Sequence, residues 1–214
     1  MTQPLCFPAG LYGITPETLH FEQLAHDIES AARGGMRALQ WRQKKIDRHV
    51  AVEKARAIAM LCRTLGVVFI VNDDVDLAIA IDADGVHLGK DDGDIAAARA
   101  VLGSGKLIGC SCYNERVRAE AAMRNGADYI AFGAVFDSSV KPEAVRAPLE
   151  LFQQAQALRP TVTDKPVTLV AIGGITPQNA DQVIKAGAQS LAVIGGLFNS
   201  PDIRSTAAQF SALF

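Results

Sequence analysis

Cysteine is scarce and poorly spaced for chemistry. The 214-residue chain has four, Cys6, Cys62, Cys110 and Cys112, with neither a CxxC pair nor zinc-finger spacing. A structural zinc site and a disulfide scaffold are therefore excluded, and free reduced thiols are expected. Cys110 and Cys112 lie two apart on a predicted strand and share one face, where packing accounts for them. Long apolar runs are also missing. Residues 67–71 and 169–172 fall far short of the roughly 20 needed to cross a bilayer, so no membrane partner is expected. Nor does one sign of charge dominate: 21 basic and 23 acidic side chains are interleaved and leave a formal net charge of -2. Without a continuous basic face, nucleic acid is not expected as a partner. The first ten residues lack the basic flank and apolar core of a signal peptide, so a cytoplasmic location is expected.

What is present is an ordinary globular composition, 49% hydrophobic and 21% charged, which excludes disordered and fibrous classes. No Pro/Gly/Ser linker or charge run interrupts it, so one domain is read over 1–214, with 1–10 as an N-terminal extension. A unit recurs: a short apolar run, a turn, then an Ala-rich amphipathic segment ending near glycine. The predicted strands are 11–15, 38–42, 67–72, 85–88, 107–111, 129–133, 168–172 and 190–194. Helices are predicted over 21–33 and 51–65, where apolar residues recur at a period of 3.6. Gly34-Gly35, Gly126-Ala127 and Gly187-Ala188 read as helix ends. Thr15-Pro16, Thr176-Pro177 and Ser200-Pro201 read as helix starts, each a hydroxyl cap before a proline at the first helical position. Eight alternating strand and helix units predict a closed α/β fold, a single-domain (β/α)8 TIM barrel with short βα units, rather than an open doubly wound sheet. Its active site then lies at the C-terminal ends of the strands.

Polar residues collect there. After strand two, Gln40, Arg42 and Lys44 alternate onto one side, and two cations at a barrel mouth suit a phosphate. Strand three runs into Asn72-Asp73-Asp74. One of these acids, or Asp76, can serve the next helix start, while Asp73 with Asp91 or Asp92 from strand four can converge on a hard cation such as Mg²⁺. His87 lacks a second histidine at ligand spacing and reads as a packed or hydrogen-bonded barrel residue. The long interval after strand six, 134–148, is a candidate lid that carries Ser138 and Lys141. Gly173-Gly174 after strand seven and Gly195-Gly196 after strand eight let backbone N–H groups approach an oxyanion.

Taken together, the chain resembles the thiamine phosphate synthase (thiamine-phosphate pyrophosphorylase) family. The resemblance rests on the segments Leu11-Tyr12-Gly13-Ile14-Thr15, Gln40-Trp41-Arg42-Gln43-Lys44, Asn72-Asp73, Ala83-Asp84-Gly85-Val86-His87-Leu88-Gly89 with Asp92, Gly109-Cys110-Ser111, Lys141 and Ala171-Ile172-Gly173-Gly174-Ile175. It implies a Mg²⁺-dependent transferase that joins 4-amino-5-hydroxymethyl-2-methylpyrimidine diphosphate to a thiazole phosphate, releasing pyrophosphate through a dissociated pyrimidine cation. By that resemblance Asp73 and Asp92 bind the metal, and Arg42, Lys44, Asn72 and Lys141 hold the diphosphate. Gln40 and Ser111 face the pyrimidine, and Ser138, Gly174, Ile194 and Gly195 surround the thiazole phosphate. Arg42, Lys44, Ser111 and Lys141 are its candidate catalytic residues.

The sequence departs from the family pattern at several points. Pro16 stands where an acid follows the first strand, Ser138-Ser139-Val140-Lys141 replaces a Thr-x-Thr-Lys loop, and Ala192 and Gly195 replace serines. Two other readings compete: the related thiazole tautomerase, which needs no diphosphate cluster, and a non-catalytic sensor of a thiamine precursor. A homo-oligomer is compatible with the sequence, which does not set the assembly state. At 214 residues the chain is short for a barrel of typically about 250, so most units must be minimal.

Overall fold

A computed structural model describes residues 6–18, 20–137 and 143–214. Eight parallel strands close in chain order into a barrel: β1 (Gly10–Ile14), β2 (Ala38–Trp41), β3 (Val68–Asn72), β4 (Gly85–Leu88), β5 (Leu107–Tyr113), β6 (Tyr129–Gly133), β7 (Thr168–Ile172) and β8 (Ser190–Val193). Helices outside and side chains inside cover both faces of each strand, which is why the strands read as continuous apolar runs. The helices are α1 (Phe21–Arg33), α2 (Arg48–Leu65), α3 (Val75–Ala80), α4 (Ile95–Leu102), α5 (Arg116–Arg124), α6 (Glu150–Val162), α7 (Ala180–Lys185), α8 (Gly195–Phe198) and α9 (Ile203–Ser211). The units are minimal as expected, α3 and α7 having six residues each. Among the described residues no helix is long and apolar enough to cross a membrane.

Alternation along the strands divides the apolar residues into two bodies. Leu11, Leu39, Phe69, Val86 and Ile130 pack outward against helices, while Tyr12, Ala38, Ile70, Leu107, Tyr129, Val170 and Ala192 fill the interior. Phe7, ahead of β1, closes the floor: its ring stacks on Tyr129 at 3.9 Å and its carbonyl accepts a 3.0 Å hydrogen bond from Thr168 Oγ1. Gly109 makes the Tyr129 position possible, since a Cβ there would lie 2.0 Å from Tyr129 Cζ.

The three predicted helix starts are corrected. Thr15 joins strands instead: its Oγ1 accepts from Arg42 N at 2.9 Å and donates to Arg42 O at 3.2 Å, and α1 begins at Phe21. Thr176 receives the Asn179 side chain at its N–H, and α7 begins at Ala180. Ser200 accepts from Asp202 N, and Asp202 caps α9 through Ser205 N at 2.9 Å. In each case the proline holds a turn ahead of the helix rather than its first helical position. The true side-chain caps are aspartates: Asp47, Asp74, Asp94 and Asp202. The helix ends fit the prediction, with Gly35, Gly126 and Gly187 at φ of 102, 90 and 115°.

Candidate active site

The mouth has a charged side, built by the ends of β2, β3 and β4. Lys44 Nζ lies 2.8 Å from Asp73 Oδ2. Asp73 is reached through a left-handed backbone, φ 65°, a conformation that costs a non-glycine residue energy and concentrates at functional sites. Its N–H donates to His87 O at 2.8 Å, which pins the β3 end to β4. The Asp73 and Asp92 carboxyl groups are neighbours and act on one another electrostatically. Burial works against charge on Asp73, but Lys44 and Asp92 together outweigh it and hold the carboxyl below its ordinary value. Asp92 is pushed up by burial and by the neighbouring Asp73 charge. Asp91 is exposed and takes no part in this pair. Asp74 caps α3 by accepting from Leu77 N at 2.8 Å. Gly89 N donates to Asp92 Oδ2 at 3.0 Å, and a Cβ at Gly89 would lie 2.3 Å from that oxygen, so the close approach requires glycine.

Arg42 lies 3.7 Å from Glu17, whose carboxylate also accepts from Lys44 N at 2.7 Å. Glu17, one residue after Pro16, thereby fixes the loop that bears both cations. Asn72 ends β3, half-buried, in register with His87.

The centre of the mouth is a buried hydrogen-bonded chain that the sequence analysis did not find. Gln40 Nε2 donates to Tyr12 Oη at 2.7 Å, Tyr12 Oη meets Tyr129 Oη at 3.0 Å, Tyr129 Oη meets His87 Nδ1 at 3.1 Å, and His87 Nε2 meets Ser111 Oγ at 2.8 Å. His87 is a hydrogen-bonded barrel residue, as predicted. Burial pushes its imidazole down to about 4, so the ring is neutral, and burial raises both tyrosine hydroxyls, which stay protonated. A signal for this chain existed: Tyr12 and Gln40 share strand parity with the inward-facing positions, and Gly109 leaves space opposite Tyr129. Arg118 was also missed. Its Nε donates to Ser111 O at 2.6 Å and its Nη2 to Gly89 O at 2.9 Å, tying the β5 end to the loop that carries Asp92.

On the far side, the β6, β7 and β8 ends pack closely. A Cβ at Gly174, whose φ is 64°, would lie 2.2 Å from Asp137 O, and one at Gly196 would lie 2.2 Å from Ile175 O. Asn179 Nδ2 donates to Gly174 O at 3.0 Å and holds the turn. Ile194 precedes α8 and Gly195 begins it. The structure therefore brings Gln40, Arg42, Lys44, Asn72, Asp73, Asp92 and Ser111 to the mouth from β2 to β5, and Gly174, Ile194 and Gly195 from β7 and β8. Ser138 and Lys141 lie outside the described residues. The described ends of their loop are anchored: Ala134 N donates to Val145 O at 3.1 Å, and Ala147 N to Ala134 O at 2.9 Å.

The sequence profile described as thiamine monophosphate synthase matches residues 11–197. Thiamine-phosphate synthase of Bordetella bronchiseptica is 53% identical over 210 residues, covering 98% of this chain and 97% of that one. The Aromatoleum aromaticum protein of the same name is 52% identical over 205 residues, 96% of each chain. Among solved structures, thiamine phosphate pyrophosphorylase from Pyrococcus furiosus superposes with a TM-score of 0.82 at 31% identity, covering 96% of this chain and 95% of that one.

Proposed function

The chain belongs to the thiamine monophosphate synthase family, and from that premise we propose how its barrel mouth joins 4-amino-5-hydroxymethyl-2-methylpyrimidine diphosphate to a thiazole phosphate. The protein is a transferase of thiamine biosynthesis. In the proposed step the bond between the pyrimidine methylene carbon and the diphosphate oxygen breaks. The thiazole nitrogen forms a new bond to that carbon, and pyrophosphate leaves with the electron pair. Such a reaction needs no enzymic nucleophile; it needs the growing negative charge neutralised and the partners aligned.

The observation that carries this reading is the Asp73 and Asp92 pair beneath Lys44. Two neighbouring carboxyl groups fit a hard divalent cation. No group of three or more His, Cys, Asp and Glu able to hold a metal exists among the described residues. Two protein ligands with the rest from phosphate and water is the pattern that suits Mg²⁺. Bound there, Mg²⁺ would neutralise charge on the leaving diphosphate. Arg42, Lys44, Asn72 and Lys141 hold the diphosphate in this proposal, with Lys44 exchanging its carboxylate partner for phosphate. Gln40 and Ser111 orient the pyrimidine. Ser138 and the backbone at Gly174, Ile194 and Gly195 receive the thiazole phosphate, and the 134–148 segment covers the mouth.

Incubation with both substrates and Mg²⁺ should give thiamine phosphate and pyrophosphate in equal amounts, and chelation should stop it. Asp73→Asn should lower turnover by roughly 10²-fold or more, the several kcal/mol a catalytic metal contributes. Wild-type turnover by that variant at ordinary Mg²⁺ would remove Asp73 from the site. Isomerisation of the thiazole phosphate without pyrophosphate release would favour the tautomerase reading.

A further inference from the structure

The buried chain from Gln40 to Ser111 is directional, because each hydroxyl in it has one proton and an imidazole nitrogen that accepts a hydrogen bond carries none. Gln40 Nε2 donates to Tyr12 Oη, so Tyr12 must spend its own proton on Tyr129 Oη. Tyr129 in turn must donate to His87 Nδ1, which leaves the His87 proton on Nε2, facing Ser111 Oγ. Ser111 therefore accepts from inside the barrel and has its hydroxyl proton for the mouth. At the other end, the Gln40 amide nitrogen is committed inward and its oxygen is the acceptor for anything bound above. Reversing one bond alone would leave a buried proton or lone pair unmatched, so reversal of the whole chain, with exchange of its two ends, is the alternative that keeps every bond. No buried side-chain nitrogen or oxygen among the described residues lacks a partner, and a tyrosine that accepted on both sides would bury its own proton unpaired, a cost that couples the two ends.

We propose that Tyr12, Tyr129 and His87 are positioning residues that set the hydrogen-bond polarity of the mouth, presenting an acceptor at Gln40 and a donor at Ser111. An aminopyrimidine offers the complementary pair, an amino N–H and a ring nitrogen lone pair. A pyrimidine with a carbonyl in place of the amino group offers the opposite polarity and leaves buried groups unpaired. Discrimination of that kind is strong because an unmade buried hydrogen bond costs more than a made one gains. The assignment of substrate rests on the function proposed above, while the direction of the chain rests on its geometry alone.

The test has a spectroscopic and a kinetic arm, both on the full-length protein. With histidines labelled in ¹⁵N, and the His87 signals identified by their loss in His87→Asn, the free enzyme should show the Nε2–H tautomer at pH 7.5. The Nδ1–H tautomer overturns the proposal whatever the variants do. In kinetics, Tyr129→Phe should raise KM for the pyrimidine diphosphate about tenfold, leave KM for the thiazole phosphate unchanged, and narrow the preference for the 4-amino over the 4-oxo pyrimidine diphosphate. Tyr12→Phe should do the same if Tyr129→Phe does not fold. An unchanged preference, or equal rises in both KM values, overturns it. A wild-type protein that forms no thiamine phosphate would defeat the proposed function instead, and the tautomer would still report on the chain.

Discussion

Asp73 and Asp92 show most directly how one pair of residues exchanges stability for chemistry. Asp92 is raised because burial and the Asp73 charge both disfavour its ionised form, so at neutral pH the unloaded pair strains the fold. Asp92→Asn keeps an oxygen for Gly89 N and removes the repulsion. It should stabilise the metal-free protein by up to about 1 kcal/mol after allowance for solvent screening, a rise of about 2–4 °C in midpoint. The gain should vanish as pH falls and the wild-type carboxyl takes up its proton. Thermal melts at pH 7.5 and pH 4 check both, and an equal gain at the two values would remove the electrostatic explanation. These acids were legible in the sequence because carboxylates after buried strands demand a reason. Tyr12, Tyr129 and Arg118 were not. A tyrosine in an apolar strand looks like packing until its neighbours are known, and Arg118 acts on backbone carbonyls rather than on a substrate.

At the scale of the element, all eight strands were readable because a parallel strand covered on both faces has an unbroken apolar run. Helix starts were less readable. A hydroxyl before proline suits a cap and also suits a turn, and the residues that decide, such as Asn179 and Asp202, come several positions later. The N-terminal face of the barrel illustrates a polar cluster that serves stability. Asp128, just ahead of β6, accepts from Arg99 Nη2 at 2.5 Å and Ile108 N at 2.7 Å and pairs with Lys165. Arg99 also donates to the carbonyls of Gly103, Lys106 and Gly126, so one guanidinium joins the end of α4 to the approaches of β5 and β6. Removing one member of a buried pair strands the other. Asp128→Asn should therefore cost about 2–4 kcal/mol. Lys165→Met, at an exposed partner, should cost less than about 1 kcal/mol. Because this cluster lies opposite the mouth, kcat and KM of the folded variants should match wild type. Denaturant titration with steady-state kinetics would test both, and a change in KM at Asp128→Asn would contradict the separation of the two faces.

For the whole molecule, closure of the barrel places polar groups where a protein seldom puts them. Phe7 seals the floor, the β-strands wall off solvent, and the tyrosines and His87 are left inside, hydrogen-bonded to one another and to Gln40 and Ser111 at the two ends. Burial consequently favours the neutral imidazole of His87, whose pKa falls from 6.5 to about 4. The consequence is a defined acid sensitivity. Between these values the unfolded chain binds a proton that the folded barrel refuses, so stability falls as pH drops through 6.5 and levels near 4. A shift of this size corresponds to roughly 3 kcal/mol at full effect. Asp73, held low by Lys44 and Asp92 against the cost of burial, adds loss in the same direction at lower pH as its own carboxyl protonates. Denaturant unfolding at pH 7.5 and pH 4.5 should show wild type losing about 2–3 kcal/mol from His87. His87→Gln, which takes up no proton, should begin less stable at pH 7.5 because Tyr129 and Ser111 lose a well-placed partner, yet lose correspondingly less on acidification. If the two proteins lost the same amount, the imidazole would not be the group that the closed barrel keeps neutral, and the acid sensitivity would belong to the carboxylates at the mouth.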